Sequence, residues 1–161
     1  MLYVLEGCDG TGKTTLAVFL SRLLNADIIH CGLDTANNAE FFKSIIHAAT
    51  DRNIIADRFC YGQFVYQDEE DRPLGYQGTV LTESYSSWEG LADLEYEMLD
   101  YGVKVIYVDA PTEVIKARLK ARDETLINKL SVEAIKDNYE TVRKRSMLTW
   151  LDYTTGGTLN G

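Results

Sequence analysis

The sequence predicts an α/β protein in which helices cover both faces of a parallel β-sheet. Two observations support this prediction. Short apolar segments alternate with longer segments in which apolar residues recur every three or four positions, as amphipathic helices require. The short segments are apolar throughout, which is typical of strands buried on both faces of a parallel sheet. With 161 residues, the chain is expected to form a single domain, residues 1–161.

Five short segments are expected to be the strands of this sheet. Each is rich in β-branched or other apolar residues, and turn-forming residues or helical segments separate one from the next. The clearest of them runs from Val103 to Val108. The strands are predicted at residues 2–5, 27–31, 53–57, 103–108 and 150–155.

The segments between the strands have helical spacing, except for residues 68–87, where Pro73, Gly75 and Gly78 indicate turns. Helices are predicted after residue 12, at 38–50, at 61–67, at 87–102, from 111 and from 131. The side chains expected to face the core share one side of each helix. They are Leu16, Phe19, Leu20, Leu23 and Leu24; Phe41, Phe42, Ile45 and Ile46; Leu91, Leu94, Met98 and Leu99; Val114, Ile115 and Leu119; and Val132, Ile135, Tyr139 and Val142.

A complete Walker A loop joins the first strand to the first helix. Its glycines let the backbone curl so that N–H groups converge on a phosphate at the positive end of the helix dipole. Lys13 can then reach the β- and γ-phosphates, and the Thr14 hydroxyl can ligate Mg²⁺. We therefore expect the chain to bind ATP. The residues expected to hold it are Gly7, Asp9, Gly10, Thr11, Gly12, Lys13, Thr14 and Thr15.

Composition narrows the partners and the compartment. A net charge of −9 disfavours an extended nucleic acid, although a small nucleotide needs only a locally positive pocket. Three cysteines without C-x-x-C spacing indicate neither a disulfide framework nor a zinc site, and the two histidines lack a metal-ligand pattern. We expect no signal peptide and no membrane span, hence a cytoplasmic protein. A homodimer stays open.

Cations after the loop favour a kinase over a GTPase. The chain lacks an N-K-x-D guanine motif, because Asn128-Lys129 is followed by Leu130 and Ser131. Arg58 follows Asp57 at the carboxyl end of the third strand, where α/β sheets bind ligands. Arg118, Lys120 and Arg122 could fold over a triphosphate as a lid at about residues 116–128, although a solvated charged helix is the alternative. Cations at these places suit phosphoryl transfer, which depends on positioning and electrostatics.

Two of these motifs resemble those of the thymidylate kinases. The segment Glu6-Gly7-Cys8-Asp9-Gly10-Thr11-Gly12-Lys13-Thr14-Thr15 is similar to the family's E-G-x-D-G-x-G-K-T-T loop. Asp57-Arg58-Phe59, followed by Tyr66-Gln67, is similar to its D-R-[YF] motif. The resemblance implies a short nucleoside monophosphate kinase with a five-stranded parallel sheet in the order 2-3-1-4-5. It also implies transfer of the γ-phosphate of ATP to a deoxynucleoside monophosphate.

The resemblance further implies roles for single residues. Arg58 would hold the acceptor phosphate and Asp9 would meet the acceptor sugar, with Phe59, Tyr66 and Gln67 at the acceptor site. Phe59 and Tyr66 could equally belong to the core. Because position 11 is Thr, the catalytic arginines would be Arg118 and Arg122, acting with Lys13.

A magnesium site is expected beside the Walker loop. Mg²⁺ would be bound by the Thr14 hydroxyl, with Asp57 or Asp109 holding its waters. Asp57 could instead order Arg58 or the attacking hydroxyl.

The chain also departs from the family. It has no R-E-P-G-type loop after the second strand, and the segment from Asp68 to Trp88, which is rich in Tyr and Gly, has no family counterpart. That segment could form a replacement acceptor pocket. Two alternatives therefore stay open. One is a P-loop kinase that acts on a nucleoside or on a hydroxyl of a modified base in DNA; the other is a nucleotide-binding regulator without transfer activity.

Overall fold

The computed structural model describes residues 1–31, 39–66, 88–122 and 131–155. Strands and helices alternate over these ranges, as the apolar patterns predict. The strands are β1 (Leu2–Glu6), β2 (Asp27–His30), β3 (Ile54–Asp57), β4 (Lys104–Asp109) and β5 (Leu151–Thr154). The helices are α1 (Lys13–Leu24), α2 (Ala39–Ala48), α3 (Gly62–Val65), α4 (Trp88–Asp100), α5 (Thr112–Ala121) and α6 (Val132–Arg145).

The five strands form one parallel sheet in the order β2-β3-β1-β4-β5, which confirms the expected fold. The register pairs Leu5 of β1 with Asp57 of β3 on one side and with Ile106 of β4 on the other. All carboxyl ends therefore meet at one edge of the sheet. The loop that joins β1 to α1 lies at this edge, next to the chain that leaves β3.

The core lies on both faces of the sheet. Neighbouring residues of a strand point to opposite faces, and the packing follows this alternation. Val4 and Tyr107 pack in the larger cluster with α4 and α6, whereas Leu5 and Val108 pack with α1 in a smaller cluster. This arrangement explains why the central strands β1, β3 and β4 are largely apolar and buried. The expectation of apolar, buried strands is wrong for β2 and β5, because an edge strand has a neighbouring strand on one side only and both carry exposed polar residues.

Most of the predicted inward faces of the helices are confirmed. In α6 all four predicted residues are buried, and Ser131 caps the helix by accepting a 3.1 Å hydrogen bond from the backbone N–H of Ala134. Pro111 precedes α5, as predicted. Ile115 and Leu119 of α5 are buried, and so are Leu91, Leu94 and Met98 of α4.

Four predicted core positions are wrong, and helix geometry explains two of them. Phe19 and Leu23 are 61% and 67% exposed. The buried side chains of α1 are Lys13, Leu16 and Ala17, so the face that meets the sheet is centred between Leu16 and Ala17. At 100° per residue, Leu23 lies at the edge of that face and Phe19 lies beyond it. Phe41 of α2 and Leu99 of α4 are also exposed, at 37% and 49%.

Three features bear on the chemistry that is expected of the chain. Cys8, Cys31 and Cys60 are buried free thiols. Over the described ranges, no group of three or more His, Cys, Asp or Glu side chains could hold a metal ion. Within the same ranges, no helix combines the length and the apolar character that crossing a membrane requires.

Candidate active site

The Walker A loop curls at the carboxyl end of β1 because its glycines adopt backbone angles that other residues rarely reach. Gly7 has φ +146°, and a Cβ there would clash with the carbonyl oxygen of Val108 in the neighbouring strand. Gly12 has φ +95° and is the N-cap of α1. The loop thus passes directly over the sheet and delivers the N-terminus of α1 to this edge, where a phosphate would be stabilised.

Lys13 lies inside the loop and is only 5% exposed. Its Nζ donates hydrogen bonds to the carbonyl oxygens of Gly7 (2.8 Å) and Cys8 (3.1 Å), and it lies 4.0 Å from Oδ1 of Asp9. Burial, followed by the charge of Arg58, lowers the pKa of Lys13. Its ammonium group is therefore held among the atoms that surround the expected phosphate position.

Thr14 contacts one of its two expected metal partners. Its hydroxyl donates to Oδ2 of Asp57 over 3.3 Å. Asp57 ends β3, and its side chain is only 11% exposed. A Thr hydroxyl next to a carboxylate fits Mg²⁺, which prefers hard oxygen ligands and keeps several of its waters.

Asp109, the other expected metal partner, is engaged elsewhere. Its Oδ1 accepts a 2.8 Å hydrogen bond from the backbone N–H of Ala110 and lies 3.2 Å from Nζ of Lys136. Lys136 also donates to the carbonyl oxygen of Ala110 over 2.7 Å. These contacts join β4 to α6. Of the two carboxylates, Asp57 is the one in contact with Thr14.

Arg58 follows β3 with φ +67°, a left-handed conformation that is uncommon for a residue with a side chain. Its guanidinium forms an ion pair with Asp9 through Nη2, and its Cζ lies 4.7 Å from the centre of the Tyr66 ring. The Arg58 side chain is 13% exposed. Among the described residues, its Nε is buried and has no hydrogen-bond partner.

A buried network that sequence reasoning missed supports Arg58 and the loop. Glu6 is 0% exposed and accepts hydrogen bonds from the Phe59 backbone N–H (2.9 Å) and the Tyr139 hydroxyl (2.8 Å). Burial raises the pKa of Glu6, although both hydrogen bonds oppose this shift. The signal in the sequence was a charged residue that ends an otherwise apolar strand.

Two predicted acceptor residues, Phe59 and Tyr66, lie in the core, which is the alternative that the sequence left open for both. Phe59 is 3% exposed, and its ring packs edge-on against Phe42 with centroids 4.8 Å apart. Tyr66 is 1% exposed, and its hydroxyl donates to the carbonyl oxygen of Gly7 over 2.9 Å. Tyr66 therefore supports Arg58 and the loop, whereas the Phe59 ring packs against α2. Gln67, another predicted acceptor residue, lies outside the described residues.

Arg118 lies against the loop. Its Nη1 donates to the carbonyl oxygen of Gly10 over 3.0 Å and to the hydroxyl of Thr155 over 3.4 Å. Thr155 follows β5, and its hydroxyl also donates to the carbonyl oxygen of Thr11. Sequence reasoning missed Thr155, because a threonine before a glycine-rich segment has no distinguishing pattern.

A cleft of about 300 Å³ opens beside this contact and is lined by Gly10, Gly12, Arg118, Ala121 and Arg122. The two predicted lid arginines thus share one cleft with the loop. Residues 116–121 of the expected lid belong to α5, and the part from 123 to 128 lies outside the described residues. Thr15, in the first turn of α1, is exposed.

Comparison with known proteins assigns the chain to a family. It is 30% identical over 158 residues to YorR, an SPbeta prophage-derived protein of Bacillus subtilis strain 168, covering 96% of this chain and 89% of YorR. The chain belongs to the YorR family. No protein-family model matches it.

Comparison with solved structures identifies the fold. The crystal structure of Bacillus subtilis YorR in complex with phosphorylated GDP matches with a TM-score of 0.68 and 28% identity, over 96% of this chain and 85% of that one. Deoxyadenosine kinase from M. mycoides with bound dATP matches with a TM-score of 0.55 and 19% identity, over 97% and 90% of the two chains. The chain thus has the fold of the P-loop kinases.

Proposed function

We propose that this member of the YorR family transfers the γ-phosphate of ATP to a deoxynucleoside monophosphate. The donor would bind at the Walker A loop and the acceptor at the carboxyl end of β3. The observation that carries the proposal is Arg58, which is attached to the donor loop through Asp9. A guanidinium at that place can bring the acceptor phosphate next to the migrating phosphoryl group.

The unpartnered Nε of Arg58 favours an anionic acceptor. A buried polar nitrogen without a hydrogen-bond partner is unfavourable, and a phosphate oxygen can supply that partner. The left-handed backbone of Arg58 costs about 1 kcal/mol or more, and such strain occurs preferentially at functional sites. The buried hydrogen bond from Phe59 to Glu6 holds this turn in place. The fold thus stabilises a strained turn that presents a cation.

The donor side is built from the loop and α5. Lys13 would exchange its contacts with loop carbonyls for the β- and γ-phosphates, where its positive charge offsets the charge that builds up during transfer. Arg118 and Arg122 line the cleft beside Gly10 and Gly12, which suits a nucleotide lying against the loop. We propose both as donor-binding and catalytic cations.

The residues at Thr14 fit Mg²⁺. Thr14 supplies a hydroxyl ligand, and Asp57, whose Oδ2 is 3.3 Å from that hydroxyl, can hold metal-bound waters. When bound, Mg²⁺ would neutralise phosphate charge during transfer.

We propose that the acceptor is a thymidylate-like nucleotide. A thymidylate-like acceptor is supported by the resemblance of the Walker loop and of the Asp57-Arg58-Phe59 motif to thymidylate kinases. The nucleotide in the YorR complex supports small nucleotides as ligands of the family. A site for small nucleotides also suits the acidic composition of the chain. The free thiols suit the reducing cytoplasm, which is the compartment that we propose.

One observation favours the second candidate, a kinase for a nucleoside or for a hydroxyl of a modified base in DNA. An alcohol must lose a proton when it attacks, and the Asp57 carboxylate lies at the edge where acceptors bind. The same carboxylate already contacts Thr14, however, and Arg58 offers a phosphate-binding group that an unphosphorylated acceptor does not need. We therefore place the monophosphate first.

An acceptor panel tests the proposal. The protein would be incubated with ATP, Mg²⁺ and each deoxynucleoside, deoxynucleoside monophosphate and short single-stranded DNA, and the products separated by ion-exchange chromatography. We expect diphosphate formation from a monophosphate, and loss of that product in Lys13→Ala. Products from nucleosides or DNA alone would support the second candidate. ATP binding without transfer to any acceptor would indicate a regulator.

A further inference from the structure

His30 is a polar side chain at the active-site edge to which no predicted motif gives a role. It is the last residue of β2, and its Nδ1 lies 3.1 Å from Oδ2 of Asp57. The Thr14 hydroxyl contacts the same oxygen over 3.3 Å. One carboxylate oxygen thus receives contacts from α1 and from β2.

The register of the sheet places the side chains of His30 and Asp57 next to each other. His30 pairs with Asp57 in the parallel register of β2 and β3, so both side chains project from the same face at neighbouring positions. The Cys31 backbone N–H donates to the Asp57 carbonyl oxygen over 3.1 Å, which continues the ladder past the strand end. The Asp57 side chain is 11% exposed, whereas that of His30 is 65% exposed.

The chemistry of the two groups sets the direction of the hydrogen bond. An ionised carboxylate has acceptors only, so Nδ1 of His30 must carry the proton and donate it. In a neutral ring this leaves Nε2 as an acceptor. Two donors on one carboxylate restrict its rotation, in the way that outer groups orient metal-binding or catalytic side chains elsewhere.

We propose that His30 is a positioning residue that holds the Asp57 carboxylate in the orientation needed for phosphoryl transfer. This inference rests on the proposed kinase activity, which requires Asp57 beside Thr14. His30 acts through Asp57. Removal of the His30 imidazole therefore lowers kcat and leaves the dissociation constant of ATP unchanged.

The kinetic test compares three His30 variants. His30→Asn keeps an N–H donor on the atom that corresponds to Nδ1, whereas His30→Gln moves the donor outward and His30→Leu removes it. We expect about a tenfold loss of kcat in the Leu and Gln variants, and activity within about twofold of wild type in the Asn variant. The dissociation constant of ATP, measured calorimetrically, should stay within about twofold in all three. His47→Leu, which changes a histidine on α2, is the matched control.

A spectroscopic readout tests the contact itself without turnover. The chain has two histidines, and they should adopt opposite tautomers at about pH 8.5, where an imidazole is ordinarily neutral. His30 contacts Asp57 through Nδ1, whereas His47 contacts Glu97 through Nε2 at 2.7 Å. We expect ¹⁵N NMR to show the Nδ1–H form of His30 and the Nε2–H form of His47. Asp57→Ala should abolish the preference of His30 only.

The outcomes separate the positioning role from the kinase activity. An Nε2–H tautomer of His30 in the wild type, or unchanged kcat in His30→Leu, overturns the positioning role while the kinase proposal stands. A wild type that phosphorylates no acceptor in the panel overturns both. Recovery of activity in His30→Asn but not in His30→Gln supports a donor at the Nδ1 position rather than a packing effect.

Discussion

The position of the Arg58 guanidinium is fixed by two buried residues, Glu6 and Tyr66. The chain turns through a left-handed residue at Arg58, and the next N–H is captured by the carboxylate of Glu6. The Tyr66 ring lies under the guanidinium and its hydroxyl contacts the loop at Gly7. The guanidinium therefore has a fixed place in the structure, which would reduce the ordering cost of binding the proposed acceptor phosphate.

The first prediction concerns Lys13. Lys13→Ala should abolish transfer, because it removes the cation that serves the migrating phosphoryl group. The side chain also holds two loop carbonyls, so we expect a loss of about 1 kcal/mol in the free energy of unfolding, with the fold retained. Turnover assays and urea unfolding measure the two effects. Near-normal turnover would contradict the role of the loop.

The second prediction concerns pH and Glu6. Burial raises the pKa of Glu6 above its unfolded value, so the native state keeps a proton that the unfolded state releases. Its contribution to stability is therefore fully present below the unfolded pKa, near 4.5, and is lost as pH rises through the folded pKa. Glu6→Gln removes this titration while leaving groups that can bond Phe59 and Tyr139.

Urea unfolding between about pH 4.5 and 8 tests this prediction. The difference in unfolding free energy between Glu6→Gln and the wild type should move in favour of the variant as pH rises. Glu89→Gln, at an exposed position on α4, is the matched control for the loss of one carboxyl group. A difference that is constant with pH, or that moves in favour of the wild type, would mean that the pKa of Glu6 is not raised.

At the scale of elements, the end of β5 connects the Walker A loop to α5. Thr155, directly after the strand, donates its hydroxyl to Thr11 and accepts from Arg118, while its backbone N–H donates to the Asp109 carbonyl oxygen over 2.8 Å. The strand end thus joins the loop, β4 and α5. We infer that the position of Arg118 over the loop depends on this threonine.

The third prediction follows from that connection. Thr155→Val keeps the shape of the side chain but removes the hydroxyl, and it should raise the KM for ATP about fivefold, the effect of a lost hydrogen bond of about 1 kcal/mol. The KM for the acceptor should not change. Thr154→Val, which alters the exposed last residue of β5, is the control. Equal effects of both substitutions on the two KM values would contradict a specific role of Thr155.

Element positions followed closely from the sequence, but the orientation of some helices did not. Apolar spacing located α6 and its inward residues because one face carries nearly all of its apolar side chains. In α1 the apolar residues cover more than one face of the helix. The face that packs against the sheet is the one that contains Lys13, Leu16 and Ala17. Which face is buried depends on tertiary packing, which periodicity alone does not specify.

The site was predictable where a motif has a fixed geometry. The glycines of the Walker loop and the strand–loop–helix context placed Lys13 and Thr14, and Arg58 followed from its position after β3. The contacts made by Glu6, Tyr139, Thr155 and His30 join residues 27 to 144 positions apart in the chain, so local patterns hold little information about them.

At the scale of the whole molecule, the acidic charge disfavours nucleic acid as the proposed acceptor. With a net charge of −9, the protein repels a phosphate polymer at long range, while Lys13, Arg58, Arg118 and Arg122 are clustered near the loop. This distribution suits a small anion that enters a positive site and does not require a long basic groove.

The fourth prediction tests whether nucleic acid is a poor acceptor. The kcat/KM for acceptors should fall from a deoxynucleoside monophosphate to a dinucleotide and to a decamer, because each added phosphate increases repulsion without a matching basic surface. The series should be measured at about 150 mM salt, and the fall should be steeper at lower salt, where screening is weaker. A kcat/KM that increases with length would favour DNA as the acceptor.

The central claim, that Arg58 binds an acceptor phosphate, is tested most directly by the kinetics of Arg58→Ala. With thymidine monophosphate as the acceptor, kcat/KM should fall about a hundredfold, since a charged contact of this kind contributes about 2–4 kcal/mol. ATP binding should be nearly unchanged, and Arg52→Ala, at an exposed arginine paired with Asp27, should behave like the wild type. Unaltered monophosphate kinetics in Arg58→Ala would contradict the claim.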